Sequence, residues 1–519
     1  MDGQKRLRWG VLGLAVWLAL GVSTTAWAAD EYERIREKAA EMAVAVNGRI
    51  YDAYGEGKDS DLERAYGDFH YLLTPAKLKD MAALVAAAPD EIERERRKET
   101  EAFLQYHAMR AASAPLIDNT RDALRDNSIR VEEGLIVLRG LEHRIGREPD
   151  QDIRRKWALA SSQLYTGINV YLLNTMVDLD MQAEQLGFEG YYDFLRQAQD
   201  WDLELLSATA TTLLENTQQS YETALERHAQ AELGEELRKV RTYDALRMLF
   251  FPQLSEKVEA DDVEEIVERS LEAMGYDLGD QRNLRLDLKE RDGKVPEAMA
   301  HQISPGKSRV TMIPTDYFTD AQDLMSAYGA AEFYHYIPDK VRFERAYFGT
   351  NILPQVYASL FALIAAEPAW IERHLELDGA TAEEVASALH FRHLLQTRRA
   401  AGQFLFQLRL HENHRIDPGE YNEMMEEALV WRRTSNDAEA YLSANDDYRS
   451  GGQVLGAVIA VQIRDALRAE WGEEWFRNKE LARRLKQGTA QGFVMPLDEF
   501  LAIWGLEQVD VATFAAAME

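Results

Sequence analysis

The stretch Asp323-Leu-Met-Ser-Ala-Tyr-Gly-Ala-Ala-Glu-Phe-Tyr334 reads as part of a helix that begins near Thr319. What precedes it differs in kind. Asn283-Leu-Arg-Leu-Asp-Leu288 alternates polar and apolar residues, the pattern of a half-buried strand. Lys294-Val-Pro-Glu297 and Ser304-Pro-Gly-Lys-Ser308 supply turn residues. Arg309-Val-Thr-Met-Ile313 is a second short strand, ended by Pro314. The two strands are expected to pair and to border the cavity that the helix faces.

Outside this region the chain reads as amphipathic helix. Leu206, Ala210, Leu213, Leu214, Tyr221, Ala224 and Leu225 fall at steps that keep them on one face of a single helix. Similar patterns run through 31–46, 92–112 and 153–181, and only 13 residues are proline. The expected fold class is all-α with a small β segment at 283–313. The chain divides into an N-terminal helical lobe at 29–200 and a second lobe at 201–519.

Of the 519 residues, 46% are hydrophobic and 29% charged, enough to bury a large core. Residues 1–28 have the composition of a secretory signal. Lys5, Arg6 and Arg8 precede an uncharged run from Trp9 to Val22, and Ala26-Trp27-Ala28 fits a small-x-small cleavage site. That run is shorter than the ~20 residues a membrane span needs, so cleavage and no stable membrane insertion are expected, with an uncleaved anchor helix as the alternative. There is no cysteine, hence no disulfide and no thiolate metal site. The expected location is periplasmic or secreted. The formal net charge of -30 argues against nucleic acid and anionic membranes as partners.

The stretch Ser326-Ala-Tyr-Gly-Ala-Ala-Glu-Phe-Tyr334 resembles the H-E-A-G-H-A-x-H-Y segment of the gluzincin oligopeptidases, the branch with thimet oligopeptidase and oligoendopeptidase F. Gly329, Ala331 and Tyr334 agree. Downstream, Arg342-Phe-Glu-Arg-Ala-Tyr-Phe-Gly349 and Pro354-Gln-Val-Tyr-Ala-Ser-Leu-Phe361 look like the family's next helix. The tail, with Trp471-Gly-Glu-Glu-Trp-Phe-Arg-Asn478, Gln487-Gly488 and Trp504-Gly505, resembles its closing helices. The likeness covers about residues 160–510. It implies a two-lobed helical body with a deep channel and a zinc site on the quoted helix.

The departures decide what the resemblance implies for function. The places of the two His ligands hold Ser326 and Ala330, that of the general base holds Ala327, and that of the second Glu ligand holds Gln355. Alanine binds no metal, and Ser and Gln are poor, uncharged ligands for zinc. Without metal-bound water and a base to take its proton, the family's route to hydrolysis is closed. The reading assigns no catalytic residue, no metal and no cofactor. The family's oxyanion Tyr falls in Tyr448-Arg-Ser-Gly-Gly-Gln453, with Ser450 nearest that place and Tyr448 still open to the role. Tyr328, Tyr334, Tyr336, Tyr448 and Arg398 are candidates for lining the cleft. The expected function is a catalytically inactive, exported oligopeptidase-like protein that binds a peptide or a protein partner in the former substrate channel. The alternatives are a metallopeptidase acting on oligopeptides through a relocated site, and a structural protein whose channel is filled.

Other groups carry less. His390 and His393 stand three apart, as do His411 and His414, and the two pairs could face each other across a helix pair to hold a metal. Surface or helix-end histidines explain them as well. Glu332 and His335 share a helix face with no second His nearby. Arg398 and Arg399 could fork onto a ligand carboxylate or serve as internal ion-pair partners. There is no G-x-S-x-G elbow and no glycine-rich nucleotide fingerprint.

Overall fold

The computed structural model describes residues 3–132, 134–256, 258, 262–413, 417–434 and 447–518, with side chains from residue 29 onward. Helix α1 (Gly3–Gly55) opens the chain. Its Tyr32, Ile35, Ala39, Met42, Ala43 and Val46 are buried at steps of one, three and four, the stripe the sequence predicts. Helix α2 (Glu91–Ala112) is capped by Asp90, whose carboxylate accepts from the Glu93 N–H at 2.8 Å. A two-stranded hairpin, β1 (Ser128–Val131) and β2 (Gly134–Val137), follows, then α3 (Leu141–Arg147) and the long α4 (Gln151–Gln185). The sequence reading did not anticipate this hairpin. Among the described residues no single helix is long and apolar enough to cross a membrane. The buried apolar side chains form one continuous cluster from Tyr32 to Phe514.

The single helix expected over 206–225 is two, Leu203–Asn216 and Gln218–Leu233. The break has a visible cause. The Arg398 guanidinium donates to the Leu214 carbonyl at 2.8 Å and to Thr217 Oγ1 at 2.6 Å, taking a carbonyl that an unbroken helix would use itself.

The strands expected at 283–288 and 309–313 are β3 (Leu284–Asp287) and β5 (Lys307–Thr311), paired in parallel with Leu284 opposite Ser308. A third strand, β4 (Met299–Ser304), runs antiparallel to β5, giving the order β3-β5-β4. The edge strand β4, rather than β3 or β5, reaches the cavity.

Helix α5 (Thr319–His335) carries the quoted stretch and lies against β4 and β5 and against α6 (Ile352–Ile364). A Cβ on Gly329 would stand 2.3 Å from the Tyr357 carbonyl oxygen, so only glycine lets α5 and α6 come this close. On the far side of α6 lies α8 (Arg449–Trp471), where a Cβ on Gly456 would meet the Gln355 backbone and Cβ at 2.8 Å. Two glycines thus clamp α6 between its neighbours and fix where Gln355 sits. Helix α7 (Gly379–Asn413), 35 residues long, closes the group.

The N-terminal helices are tied to the segment between α5 and α6. Arg36 of α1 forks onto Glu344 at 2.7 and 3.1 Å, and Thr100 of α2 donates to the same carboxylate at 2.6 Å. Glu99 of α2 accepts from Arg342 and Arg345 at 2.8 and 2.7 Å.

Candidate functional site: a neutral cavity on the face of α5

Asp323, Ser326, Ala327, Ala330 and Tyr334 lie at helical steps on one face of α5, and all five line a cavity of about 460 Å³. Gln355, Ala358, Ser359 and Ala362 reach it from one face of α6, and Arg449 and Gln453 from the first turns of α8. Helix α7 contributes Arg392, His393, Gln396, Arg399 and Gln403, and α3 contributes Glu142 and His143. Glu297 and Ala298 ahead of β4, Met299 and Ala300 within it, and Leu249 and Phe250 complete the wall. The volume lies within the range of small-ligand sites.

Ser326, Ala327, Ala330 and Gln355 therefore share one cavity. Of the five side chains expected at the cleft, Tyr334 lines it and four do not. Tyr328 points to the opposite side of α5, where it is buried. Tyr336 packs on Tyr276, with the Lys486 ammonium 4.2 Å from its ring centre. Tyr448 is buried against Tyr192 and Trp201. Arg398 is fully buried and spends its donors on Ala428 O, Leu214 O, Thr217 Oγ1 and Gln218 Oε1. It is a structural clamp, and its neighbour Arg399 is the one that meets the cavity. The two histidine pairs cannot face each other across a helix pair, because His390, His393 and His411 ride on the same continuous α7. His393 and His411 are separated along it by roughly 27 Å at 1.5 Å per residue. His414 lies outside the described residues.

The charged groups of the cavity are mostly spent on each other. Arg392 forks onto Asp323 with both contacts at 2.7 Å and also donates to Leu249 O and Gln322 Oε1. Arg399 meets Glu142 at 3.3 Å. The Glu297 side chain is 47% exposed to the open cavity; enclosure by the surrounding walls, with repulsion from Glu142 and Asp323, shifts its carboxyl upward. His143 Nε2 stands 3.5 Å from Glu297 Oε1. Burial pulls both His143 and His393 down to about 4, so both imidazoles are neutral at pH 7.

Metal chemistry does not fit this set. The positions that face one another across α5 and α6 offer a hydroxyl, two methyl groups and a neutral amide. The nearby Asp323 is already held by Arg392. Among the described residues no three His, Asp or Glu side chains converge as a metal requires.

Sequence reasoning named Gln355 and missed Gln396, Gln403 and Gln453 as cavity residues. The side chains of Gln355, Gln396, Gln403 and Gln453 line the cavity and make no hydrogen bond to the described residues. Each amide offers two donors and an acceptor. The seven-residue spacing of Gln396 and Gln403 on a long helix was the available signal.

No family model and no curated relative matches the sequence. Solved structures do match in shape. Pz peptidase A with an inhibitor superposes with a TM-score of 0.62 at 14% identity, over 90% of this chain and 85% of its own. A Bacillus anthracis structure described as an oligoendopeptidase F gives 0.62 at 14% identity, over 90% and 86%. A further structure described as an oligoendopeptidase F gives 0.65 at 14% identity, over 96% and 91%. This chain has an oligoendopeptidase F-like fold. At that identity the likeness concerns the fold, and the site must be argued from its own residues.

Proposed function

We propose that this oligoendopeptidase-like chain is a non-catalytic, exported protein that binds peptides in the cavity beneath α5. The observation that carries the reading is the pairing of two facts at one place. The face where the resemblance expects zinc ligands is neutral and small, and four unspent glutamine amides surround it. Amide side chains match the alternating donors and acceptors of a peptide backbone. A filled channel, as a structural protein would have, is disfavoured by the open volume of about 460 Å³. Export rests on the basic start, apolar run and Ala26-Trp27-Ala28 of the sequence.

The test is elemental analysis of the purified protein with a broad peptide-cleavage and peptide-binding screen. Binding without stoichiometric zinc and without cleavage is the expected result. Cleavage blocked by a chelator would overturn the reading and favour a relocated metal site. Cleavage indifferent to chelators would instead direct attention to Glu297, whose carboxyl is shifted upward toward the range that suits proton transfer. Ser326→His, Ala327→Glu, Ala330→His and Gln355→Glu introduced together should create zinc binding if the frame of α5 and α6 is intact, whereas any one alone should not. N-terminal sequencing of the exported protein should begin after Ala28.

A further inference from the structure

Three arginines reach the cavity, and they are not equivalent. Arg392 is held by Asp323 and Arg399 by Glu142. Arg449 has neither an ion pair nor a side-chain hydrogen bond to the described residues, yet it lines the same cavity. Its charge is felt at Tyr334 on α5, which lines the cavity, and at His301 on β4, which does not.

Its placement is enforced. Asp447 and Tyr448, immediately before it, adopt left-handed backbone at φ 53° and 61°, a region that non-glycine residues seldom occupy. Asp447 is pinned there by the hydroxyls of Tyr106 and Tyr191, each donating at 2.9 Å, and by Arg110 at 3.3 Å. Tyr448 is buried against Tyr192 and Trp201. These contacts set Arg449 as the first residue of the 23-residue α8. A lone cation at a helix N-terminus meets a positive dipole end, the unfavourable sign. An anion arriving there gains from both.

We propose that Arg449 anchors a carboxylate of the peptide bound in this cavity, a proposal that rests on the peptide-binding reading above. The guanidinium forks onto the carboxylate, while Gln453, one turn on, and Gln355 across from it take the adjoining backbone amides. A carboxylate has two sources in a peptide, the C-terminus and an acidic side chain, and both present the same chemistry.

The test uses two matched pools of N-acetylated tetrapeptides, one ending in free acids and one in amides. Each pool is equilibrated with wild-type protein, R449Q and R449K, and retained peptides are quantified after gel filtration. Wild type should retain free acids about tenfold or more over amides, R449Q should lose that preference, and R449K should keep part of it. If amidated peptides containing Asp or Glu are retained as well as free acids, and lose retention in R449Q, the carboxylate is a side chain and the anchor stands. Equal retention of acids and neutral amides, or an acid preference that survives in R449Q, would overturn the anchor and leave peptide binding intact. Retention of neither pool would remove the peptide reading and the anchor with it. Since Arg449 has no partner to lose among the described residues, R449Q should melt with wild type, which separates lost binding from lost folding.

Discussion

The two sides of α5 invert the usual guide to an active site. Toward the cavity it shows Ser326, Ala327 and Ala330, with Asp323 neutralised by Arg392. On the other side Glu332 is wholly buried, accepts from Gln281 Nε2 at 2.5 Å and is pushed up to about 8 by burial. A strongly shifted carboxyl is commonly a mark of function. Here it belongs to packing, and the side that faces open volume is neutral. What separates the two is access to a cavity, not acidity.

That contrast can be broken at several points. The largest effect is expected where α5 meets α6. Gly329→Ala should lower unfolding stability by about 3 kcal/mol, since its Cβ would press on the Tyr357 backbone. Denaturant titration will read it, and an unchanged midpoint would mean that the helices are not in this contact. Next comes the pair of arginines on α7. Arg398→Met should cost about 3 kcal/mol by stranding Leu214 O and Ala428 O. Arg399→Met, at the cavity, should cost less than about 1 kcal/mol. Equal losses would erase the distinction between clamp and cavity residue.

The acid on the packing side predicts a pH signature. The folded Glu332 holds its proton up to about pH 8, whereas an unfolded glutamate releases it near its ordinary value of 4.5. The native state therefore binds more protons than the unfolded state between those values. Stability from this group is full below pH 4.5 and is lost as pH rises toward 8. Relative to Glu332→Gln, the wild type should lose about 1 kcal/mol per pH unit across that window. Parallel stability curves for the two proteins would show that Glu332 is not buried as described. The smallest effect belongs to the cavity side, where Ser326→Ala should change stability by less than about 0.5 kcal/mol, as expected for a side chain facing open space.

Much of this was legible in the chain. Helical spacing put Ser326 and Ala330 on one face, the family resemblance brought Gln355 to them, and alternation revealed β3 and β5. Strand β4 was invisible because Met-Ala-His-Gln-Ile-Ser has few of the β-branched and aromatic residues that mark strands. Tyr328 could have been excluded from the cleft, since it stands two residues, about 200° of helix, from both Ser326 and Ala330. Arg398 and Arg399 are adjacent and opposite in role, and no pattern shows which will meet free carbonyls at a helix break. That break at Thr217 arises from a tertiary contact, so periodicity ran straight through it.

The carboxylate of Glu344 also governs how the molecule can move. It is buried and takes three donors from two N-terminal helices, and it lies outside the cavity. Separating a buried ion pair costs about 3–5 kcal/mol, so a form parted at that point is populated by on the order of one molecule in a thousand. Breathing that admits a ligand must therefore bend the chain elsewhere, with the Glu344 end serving as the fixed pivot.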